Sequence, residues 1–268
     1  MTEAELEFAA LWPFGVEAVG IRADIKRMST EAADAHGLKA ALATHGVVVI
    51  RRQRIDDHDF VRFLRCLGSL TFTAGETPVV HFPDLNIVSN VGRATPPKSV
   101  FHTDTSYIAR PPAFTALRAV TVPTSGGETL FSNQYLAYDT LPPSVKQRLA
   151  NAQTLHVASG VAPAEQQPMQ SWHPLFQRHP ISERVALFLS TPDRCQEISG
   201  LASDTARRAI RLLYRHSIRP SRLYRHYWQA GDVLIWDNRC TMHRADHAQV
   251  SSDRVLHRGL VLPAFDAA

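Results

Sequence analysis

The feature that most constrains the fold of this 268-residue chain is a series of short strand-like runs separated by turns. These runs are rich in β-branched and aromatic residues and lie at 47–50, 85–89, 113–122, 185–189, 222–228, 232–236 and 254–262. Helical periodicity is confined to 31–44, the segment after Asp56, 132–139, the segment after Pro142-Pro143, and 203–216. Because strands and helices do not alternate, the pattern predicts a single domain built on a closed or sandwiched antiparallel sheet.

Composition excludes several classes of protein. Hydrophobic residues make up 44% of the chain and charged residues 20%, as in an ordinary globular domain. No apolar run approaches the roughly 20 residues that cross a bilayer, and the acidic first residues lack the basic region of a secretory signal. Cys66, Cys195 and Cys240 are scattered, with no metal-binding or disulfide spacing. We therefore expect a cytoplasmic protein with no membrane partner.

Basic residues cluster in one part of the chain, although the net charge is only +4. One interpretation is a stripe that neutralises nucleic-acid phosphates, and the other is the solvated face of an amphipathic helix. No aromatic residues alternate with the arginines as base stacking requires, so we favour the solvated face and expect no nucleic-acid partner. The cluster consists of Arg207, Arg208, Arg211, Arg215, Arg219, Arg222 and Arg225.

The segment Phe101–Tyr107 carries the first chemical signal. His102 and Asp104 are two residues apart, so in a strand both side chains face the same side and can bind one metal ion. In a chain with 13 histidines this pair alone is weak evidence, and a surface loop explains it at least as well. His243, which follows the strand-like run 232–236, adds a second imidazole. Two histidines and one carboxylate that leave three positions open form the facial triad of non-heme iron(II) oxygenases.

With these residues in place, the chain resembles the taurine dioxygenase family of Fe(II)/2-oxoglutarate-dependent dioxygenases over roughly residues 40–263. The resemblance implies a mainly β fold with flanking helices, a double-stranded β-helix or jelly roll of the cupin type made of two antiparallel sheets. The matching motifs are Phe101–Asp104, Gly126–Thr129, Trp236–Arg239, His243, and Arg254 with Arg258.

The resemblance also implies a role for individual residues. His102, Asp104 and His243 are expected to hold iron. Arg254 is expected to bind the distal carboxylate of 2-oxoglutarate through its planar guanidinium, and Thr129 to add a hydroxyl hydrogen bond.

Substrate contacts are expected from a second arginine and from a histidine that precedes the first motif. Arg258, four residues after Arg254 on the same face of a strand, is expected to receive an acidic group of the substrate. The alternatives are that it helps to hold 2-oxoglutarate, that an internal Asp or Glu supplies its anion, or that it is a plain surface charge. His81 is the nearest candidate for a second substrate contact. His173 and His179 fall near the expected pocket, although a structural role suits each of them better. Residues 161–174 are predicted to form a loop that acts as an active-site lid.

The expected reaction couples decarboxylation of 2-oxoglutarate, giving succinate and CO₂, to hydroxylation of a small anionic substrate by O₂. Desaturation or another C–H oxidation of a natural-product intermediate stays open as an alternative outcome. A non-catalytic protein that binds nucleic acid or metal is the alternative from a different class. A homo-oligomer is compatible with the sequence.

Overall fold

The computed structural model describes residues 6–20, 23–28, 32–73, 75–92, 99–159 and 170–263. In these residues the first half of the chain forms β1 (Glu7–Ala10), β2 (Val16–Val19), α1 (Ile25–Met28), α2 (Ala32–His45), β3 (Val47–Ile50), α3 (Asp57–Leu67), β4 (Leu70–Thr71), β5 (Pro78–Val79), β6 (Phe82–Ser89), β7 (Phe114–Thr121), β8 (Thr129–Asn133), α4 (Gln134–Asp139) and α5 (Pro143–Arg148). The second half forms β9 (Gln153–Val157), β10 (Gln170–Pro174), β11 (Phe176–Arg178), β12 (Val185–Leu187), β13 (Cys195–Ile198), α6 (Ser203–Ser217), a 3₁₀ turn (Pro220–Arg222), β14 (Leu223–His226), β15 (Val233–Asp237), β16 (Thr241–Ala245) and β17 (Val255–Val261).

A large sheet forms the centre of the molecule. Its strand order is β1-β2-β3-β15-β7-β17-β6-β5, and β4 also pairs with β17. The pairing is antiparallel throughout, except that β2 runs parallel to β3. Strand β3 shows why the sheet is buried on both faces. Val48 and Ile50 pack in the cluster that contains the apolar faces of α2 and α3, whereas Val47 and Val49 pack in the cluster on the other face.

A second sheet closes the other side of that inner cluster. Strands β14, β8 and β16 pair antiparallel in that order, and Phe131 of β8 packs with Trp236 of β15 across the interior. Helices α4 and α6 cover the outer side of this second sheet together with β12 and β13. Two facing sheets with helices outside form the mainly β jelly roll that the sequence predicted.

Most predicted elements are present with boundaries shifted by one or two residues. Helix α3 begins after Asp56, whose carboxylate accepts a hydrogen bond from the Asp59 N–H, and its predicted apolar face is buried. The predicted lid loop needs a correction at its end, because residues 170–174 form β10 and pair with β9. The rest of that segment, through residue 169, lies outside the described residues.

The arginine cluster lies mainly on the exposed face of α6, as the solvated-face interpretation predicts. Two members differ. Arg222 is buried and donates hydrogen bonds to the Thr140 hydroxyl and the His216 carbonyl, and Arg225 is half-buried in β14. No helix in the described part of the chain is long and apolar enough to cross a membrane.

Candidate active site

Backbone pairing brings the two predicted histidine ligands together. His243 lies in β16, and an isolated bridge joins it to His102, so that each backbone N–H donates to the other residue's carbonyl at 2.9 Å. Residues paired directly across two antiparallel segments project to the same face. The two imidazole rings accordingly lie 4.3 Å apart between centroids.

Asp104 completes the cluster from a turn that follows the bridge rather than from a strand. Its Oδ1 lies 3.6 Å from His102 Nε2, and its Oδ2 lies 3.9 Å from His243 Nε2. Ligand atoms of the three residues all lie within 4.8 Å of one another, close enough for one ion to contact all three. His102 is half-buried and the other two residues are buried.

The protonation states of this cluster suit a divalent cation. The Val100 carbonyl, 3.0 Å from His102 Nδ1, can only accept, so Nδ1 carries a proton and Nε2 is the nitrogen that faces Asp104. Burial lowers the pKa of His243 to about 3, which keeps that imidazole neutral. Burial opposes ionisation of Asp104, but the hydrogen bonds and the positive charge around it, including that of Arg258, outweigh burial and hold the pKa of this carboxyl well below its ordinary value. Two imidazoles and one carboxylate are the ligand types of an Fe(II) site.

A chain of hydrogen bonds fixes the orientation of the Asp104 carboxylate. Trp236 Nε1 donates to Asn238 Oδ1 at 3.0 Å, and Asn238 Nδ2 donates to the Thr115 hydroxyl at 2.8 Å. The Thr115 hydroxyl in turn donates to Asp104 Oδ2 at 2.8 Å. Every member is buried, so each bond is protected from competition with water. The Trp-Asp-Asn motif therefore supports the metal ligand through its tryptophan and asparagine.

The predicted cosubstrate residues also lie together. Arg254 Nε donates to the Gly127 carbonyl at 2.8 Å, and its Nη2 donates to the Thr129 hydroxyl oxygen at 3.2 Å. Trp228 Nε1 donates to the same oxygen at 3.1 Å. Because that oxygen already accepts two hydrogen bonds, the Thr129 proton is free to donate to a ligand.

Arg254 has the properties of an anion-binding group. It is buried, and burial lowers its pKa to about 10, although Glu128 opposes that shift, so it stays charged at neutral pH. No carboxylate of a described residue lies within 4 Å of it. Thr129 sits diagonally across the β8–β16 pair from His243, a separation of about 7–8 Å on one face. A short dicarboxylate can therefore span from the metal ligands to Arg254.

The Gly-Gly turn that precedes Thr129 leaves room for this guanidinium. Gly127 has a φ of +74°, and a Cβ there would lie 2.9 Å from Arg254 Cδ. Gly126 has a φ of +75°, and a Cβ there would overlap the Gln249 carbonyl. Both positions therefore require glycine.

The second predicted arginine has a different environment. Arg258 Nη2 lies 3.1 Å from Glu76 Oε1, and its Nε donates to Asn86 Oδ1 at 3.2 Å. Its Nη1 lies 3.6 Å from Asp104 Oδ1, which puts the guanidinium beside this predicted metal ligand. The sequence analysis did not find Glu76, which already supplies Arg258 with an anion.

The remaining predicted histidines lie elsewhere. His81 is exposed in the turn between β5 and β6, where it lines a depression on the outer surface with residues of α3. Asn86, which contacts Arg258, lies five residues further along; at about 3.3 Å per residue, this puts His81 well away from the metal ligands. His173 is buried and donates to the Ser106 carbonyl, and His179 pairs with Asp237 at 2.9 Å. Both have structural contacts.

Several residues of the site carried no signal in the sequence. Thr115 lies in the middle of β7, and Trp228 follows β14 in a loop, so neither belongs to a motif. Arg194 and Tyr107 lie near Asp104, with the guanidinium carbon of Arg194 5.2 Å from the centroid of the Tyr107 ring. Arg194 comes from the turn before β13, so only the fold brings it here.

Comparison with known proteins gives consistent matches. The profile described as "Taurine catabolism dioxygenase TauD, TfdA family" matches residues 7–260. An alpha-ketoglutarate-dependent 2,4-dichlorophenoxyacetate dioxygenase of Burkholderia sp. (strain RASC) is 29% identical over 81% of each chain. Pentalenolactone F synthase of Streptomyces arenae is 30% identical over 85% of each chain. The crystal structure of a putative alpha-ketoglutarate-dependent taurine dioxygenase from Burkholderia xenovorans superposes with a TM-score of 0.85, at 28% identity, and covers 97% of this chain and 93% of that one.

Proposed function

Because the chain belongs to the TauD/TfdA family of dioxygenases, we propose that it hydroxylates a small organic acid. The enzyme class follows from the family: the protein is a non-heme iron oxidoreductase that uses Fe(II), 2-oxoglutarate and O₂. The finer points of this proposal are the acidic nature of the substrate, hydroxylation as the outcome, and the roles of individual residues.

The observation that carries the proposal is the placement of two complementary sites on one face. His102, Asp104 and His243 offer three ligands to Fe(II), and one diagonal step across the β8–β16 pair from His243 lies Thr129. The Thr129 hydroxyl accepts a hydrogen bond from Arg254, which has no carboxylate partner among the described residues. When bound, Fe(II) supplies the activation of O₂ that couples loss of CO₂ from 2-oxoglutarate to oxidation of a C–H bond.

The protein's own residues bind and orient the reactants. Arg254 and the Thr129 hydroxyl hold the distal carboxylate of 2-oxoglutarate, since a guanidinium and a free O–H provide charge-assisted hydrogen bonds. Trp228 packs beside this guanidinium and excludes water from it. Thr115 keeps the Asp104 carboxylate in one orientation. Three protein ligands leave room at the metal for the cosubstrate and O₂.

An acidic substrate is supported by the positive charge beside Asp104. Arg258, the group that the sequence assigned to the substrate, lies there but is paired with Glu76, so an acid reaches Arg258 only by displacing that carboxylate. Glu76 is about one-third exposed in a segment between strands, so it can move more easily than Arg258. The assignment of the acid to Arg258 stays a prediction.

We also retain the prediction of a cytoplasmic location. Cys66, Cys195 and Cys240 are free, and the last two are buried. Reduced cysteines in the interior suit a reducing compartment.

The test is a panel of small acids assayed for succinate release with Fe(II), 2-oxoglutarate and O₂. Each acid is paired with its methyl ester, and the His243→Ala variant provides the background rate. We expect at least one acid to stimulate succinate release and to gain one oxygen atom by mass spectrometry, with its ester at least tenfold poorer. Equal turnover of esters and acids would contradict the acidic-substrate proposal, and a desaturated product would contradict hydroxylation.

A further inference from the structure

A third arginine lies beside the metal ligands and belongs to none of the motifs. Arg194 precedes β13 and is only 9% exposed. Its Nη1 donates at 2.9 Å to the carbonyl of Thr103, the residue between two of the metal ligands. Its guanidinium lies 5.2 Å from the centre of the Tyr107 ring. The side chain is thus held against the turn that carries Asp104.

The hydrogen-bonding capacity of Arg194 is largely unused. Its Nε is buried without a hydrogen-bond partner, and its Nη2 makes no hydrogen bond to a described residue. In the described part of the chain no carboxylate lies within 4 Å of it. A buried guanidinium that meets only neutral acceptors is costly, because a backbone carbonyl and an aromatic ring do not neutralise its charge.

The turn beside Arg194 has further unused donors. The hydroxyls of Thr105 and Ser106 are buried and unpartnered, and the Tyr107 hydroxyl makes no hydrogen bond to a described residue. Burial raises the pKa of Tyr107, so this hydroxyl keeps its proton at neutral pH. Arg194 and Tyr107 together therefore offer a charge and a neutral O–H donor.

When the metal and 2-oxoglutarate are bound, the other charges around the site have partners of opposite sign. The two carboxylates of 2-oxoglutarate are met by the metal and by Arg254, and Asp104 is met by the metal. Arg258 has Glu76. Among the described residues around the site, Arg194 is the positive charge that has no anion of its own.

We infer that Arg194 and Tyr107 form the subsite that receives the substrate's acid group, a singly charged oxyanion such as a carboxylate, sulfonate or sulfate ester. This inference rests on the proposed function, since it specifies where the acidic substrate is held. It differs from the sequence-based assignment, because Arg258 keeps its ion pair with Glu76 while Arg194 binds the acid. Planar guanidinium and hydroxyl donors are well suited to bind an oxyanion in this way.

Binding of inorganic sulfate tests this subsite without turnover and without knowledge of the substrate. The protein is loaded with Mn(II) and N-oxalylglycine, which occupies the 2-oxoglutarate site, and is titrated calorimetrically with sulfate at constant ionic strength. We expect one saturable site in the wild type, at least tenfold weaker binding in Arg194→Gln, and a loss of less than about fivefold in Arg194→Lys, which keeps the charge. Arg211→Gln, on the exposed face of α6, is the matched control and should bind like the wild type.

Each outcome decides between the two arginines. Loss of the sulfate site in Arg258→Gln with retention in Arg194→Gln would overturn the inference and favour Arg258. Absence of saturable binding by the wild type would overturn it as well. If Arg194→Gln does not fold, Tyr107→Phe takes its place, and unchanged sulfate affinity in that variant contradicts the subsite. The proposed function is tested separately, because succinate release by the wild type with the panel of acids does not depend on which arginine binds the acid.

Discussion

Arg254 immediately precedes β17 and Arg258 lies in its middle. The two arginines differ in whether a carboxylate is already paired with them. Arg254 is fully buried, contacts a carbonyl, a hydroxyl and an indole, and has no carboxylate partner among the residues described. Arg258 lies four residues further along the chain, beside Asp104, and is paired with Glu76. The first is ready for an incoming anion, whereas the second already has one.

The difference arises from which parts of the chain surround each guanidinium. The surroundings of Arg254 are mainly the Gly126–Thr129 turn, a motif with its own sequence signature. The surroundings of Arg258 come from β6 and from the segment before β5, which carry no motif. The surroundings of Arg254, the proposed 2-oxoglutarate ligand, are thus specified by local sequence, whereas those of Arg258 come from segments that only the fold brings together.

The largest effect is expected from a substitution at the proposed metal centre, which both 2-oxoglutarate and the substrate need. His243→Ala deletes one of three metal ligands, so we expect loss of the charge-transfer band formed anaerobically with Fe(II) and 2-oxoglutarate, and loss of turnover. His81→Ala is the matched control, since that exposed histidine lies away from the site and should leave both unchanged. Full band intensity in His243→Ala would refute the ligand assignment.

The second substitution removes Arg254, the arginine without a carboxylate partner among the described residues. Arg254→Ala deletes the charge that meets the distal carboxylate, a loss of about 2–5 kcal/mol, which corresponds to a rise in the 2-oxoglutarate KM of roughly 30-fold to several thousandfold. Thr129→Val should raise the same KM less, roughly tenfold, because it removes one hydrogen bond to a charged group. Steady-state kinetics checks both values, with thermal unfolding as the control for folding. An unchanged KM in Arg254→Ala excludes the role.

The third substitution is expected to weaken binding of the metal and to leave the contacts of Arg254 and Thr129 intact. Thr115→Val keeps the shape of the side chain but removes the hydroxyl that orients Asp104, and loss of such a supporting hydrogen bond typically weakens metal affinity 10–100-fold. We expect this drop in the Mn(II) dissociation constant measured anaerobically. Thr115→Ser should restore affinity, whereas a purely structural role would give equal Mn(II) affinity in all three proteins.

Sequence predicted the parts of the site that short motifs carry. The His-x-Asp pair, the distal histidine and the Gly-Gly turn each combine residue types with a spacing that one chemistry requires, and the structure brings their residues together. Strand-like runs without alternating helices predicted a closed or sandwiched antiparallel sheet, and the family resemblance identified it as a jelly roll. Strand β3 was recognisable because four consecutive apolar residues suit a strand buried on both faces.

The rest depended on contacts between distant segments. Glu76 and Arg194 lie in irregular segments where neither period nor motif marks a residue, so their approach to Arg258 and Asp104 could not be predicted. His81 was selected for its residue type and its position before the first motif, but the turn between β5 and β6 carries it to another surface. Strand β10 was missed because prolines and glutamines suggest a loop, although pairing with β9 overrides that preference.

The smallest effect is expected from a substitution that leaves Arg258, like Arg254, without its carboxylate partner. Glu76→Gln keeps the side chain but removes its charge, so Arg258 loses its ion pair and becomes a second guanidinium available to an anion. The pair is partly exposed and worth at most about 1 kcal/mol, so sulfate affinity of the protein loaded with Mn(II) and N-oxalylglycine should rise by no more than about fivefold. Glu17→Gln is the control, because this residue lies in β2 and pairs with Arg51 instead. Combined with Arg194→Gln, the Glu76 substitution should restore weak sulfate binding, now at Arg258. Unchanged sulfate affinity in both the single and the double variant would mean that Glu76 does not control access to Arg258.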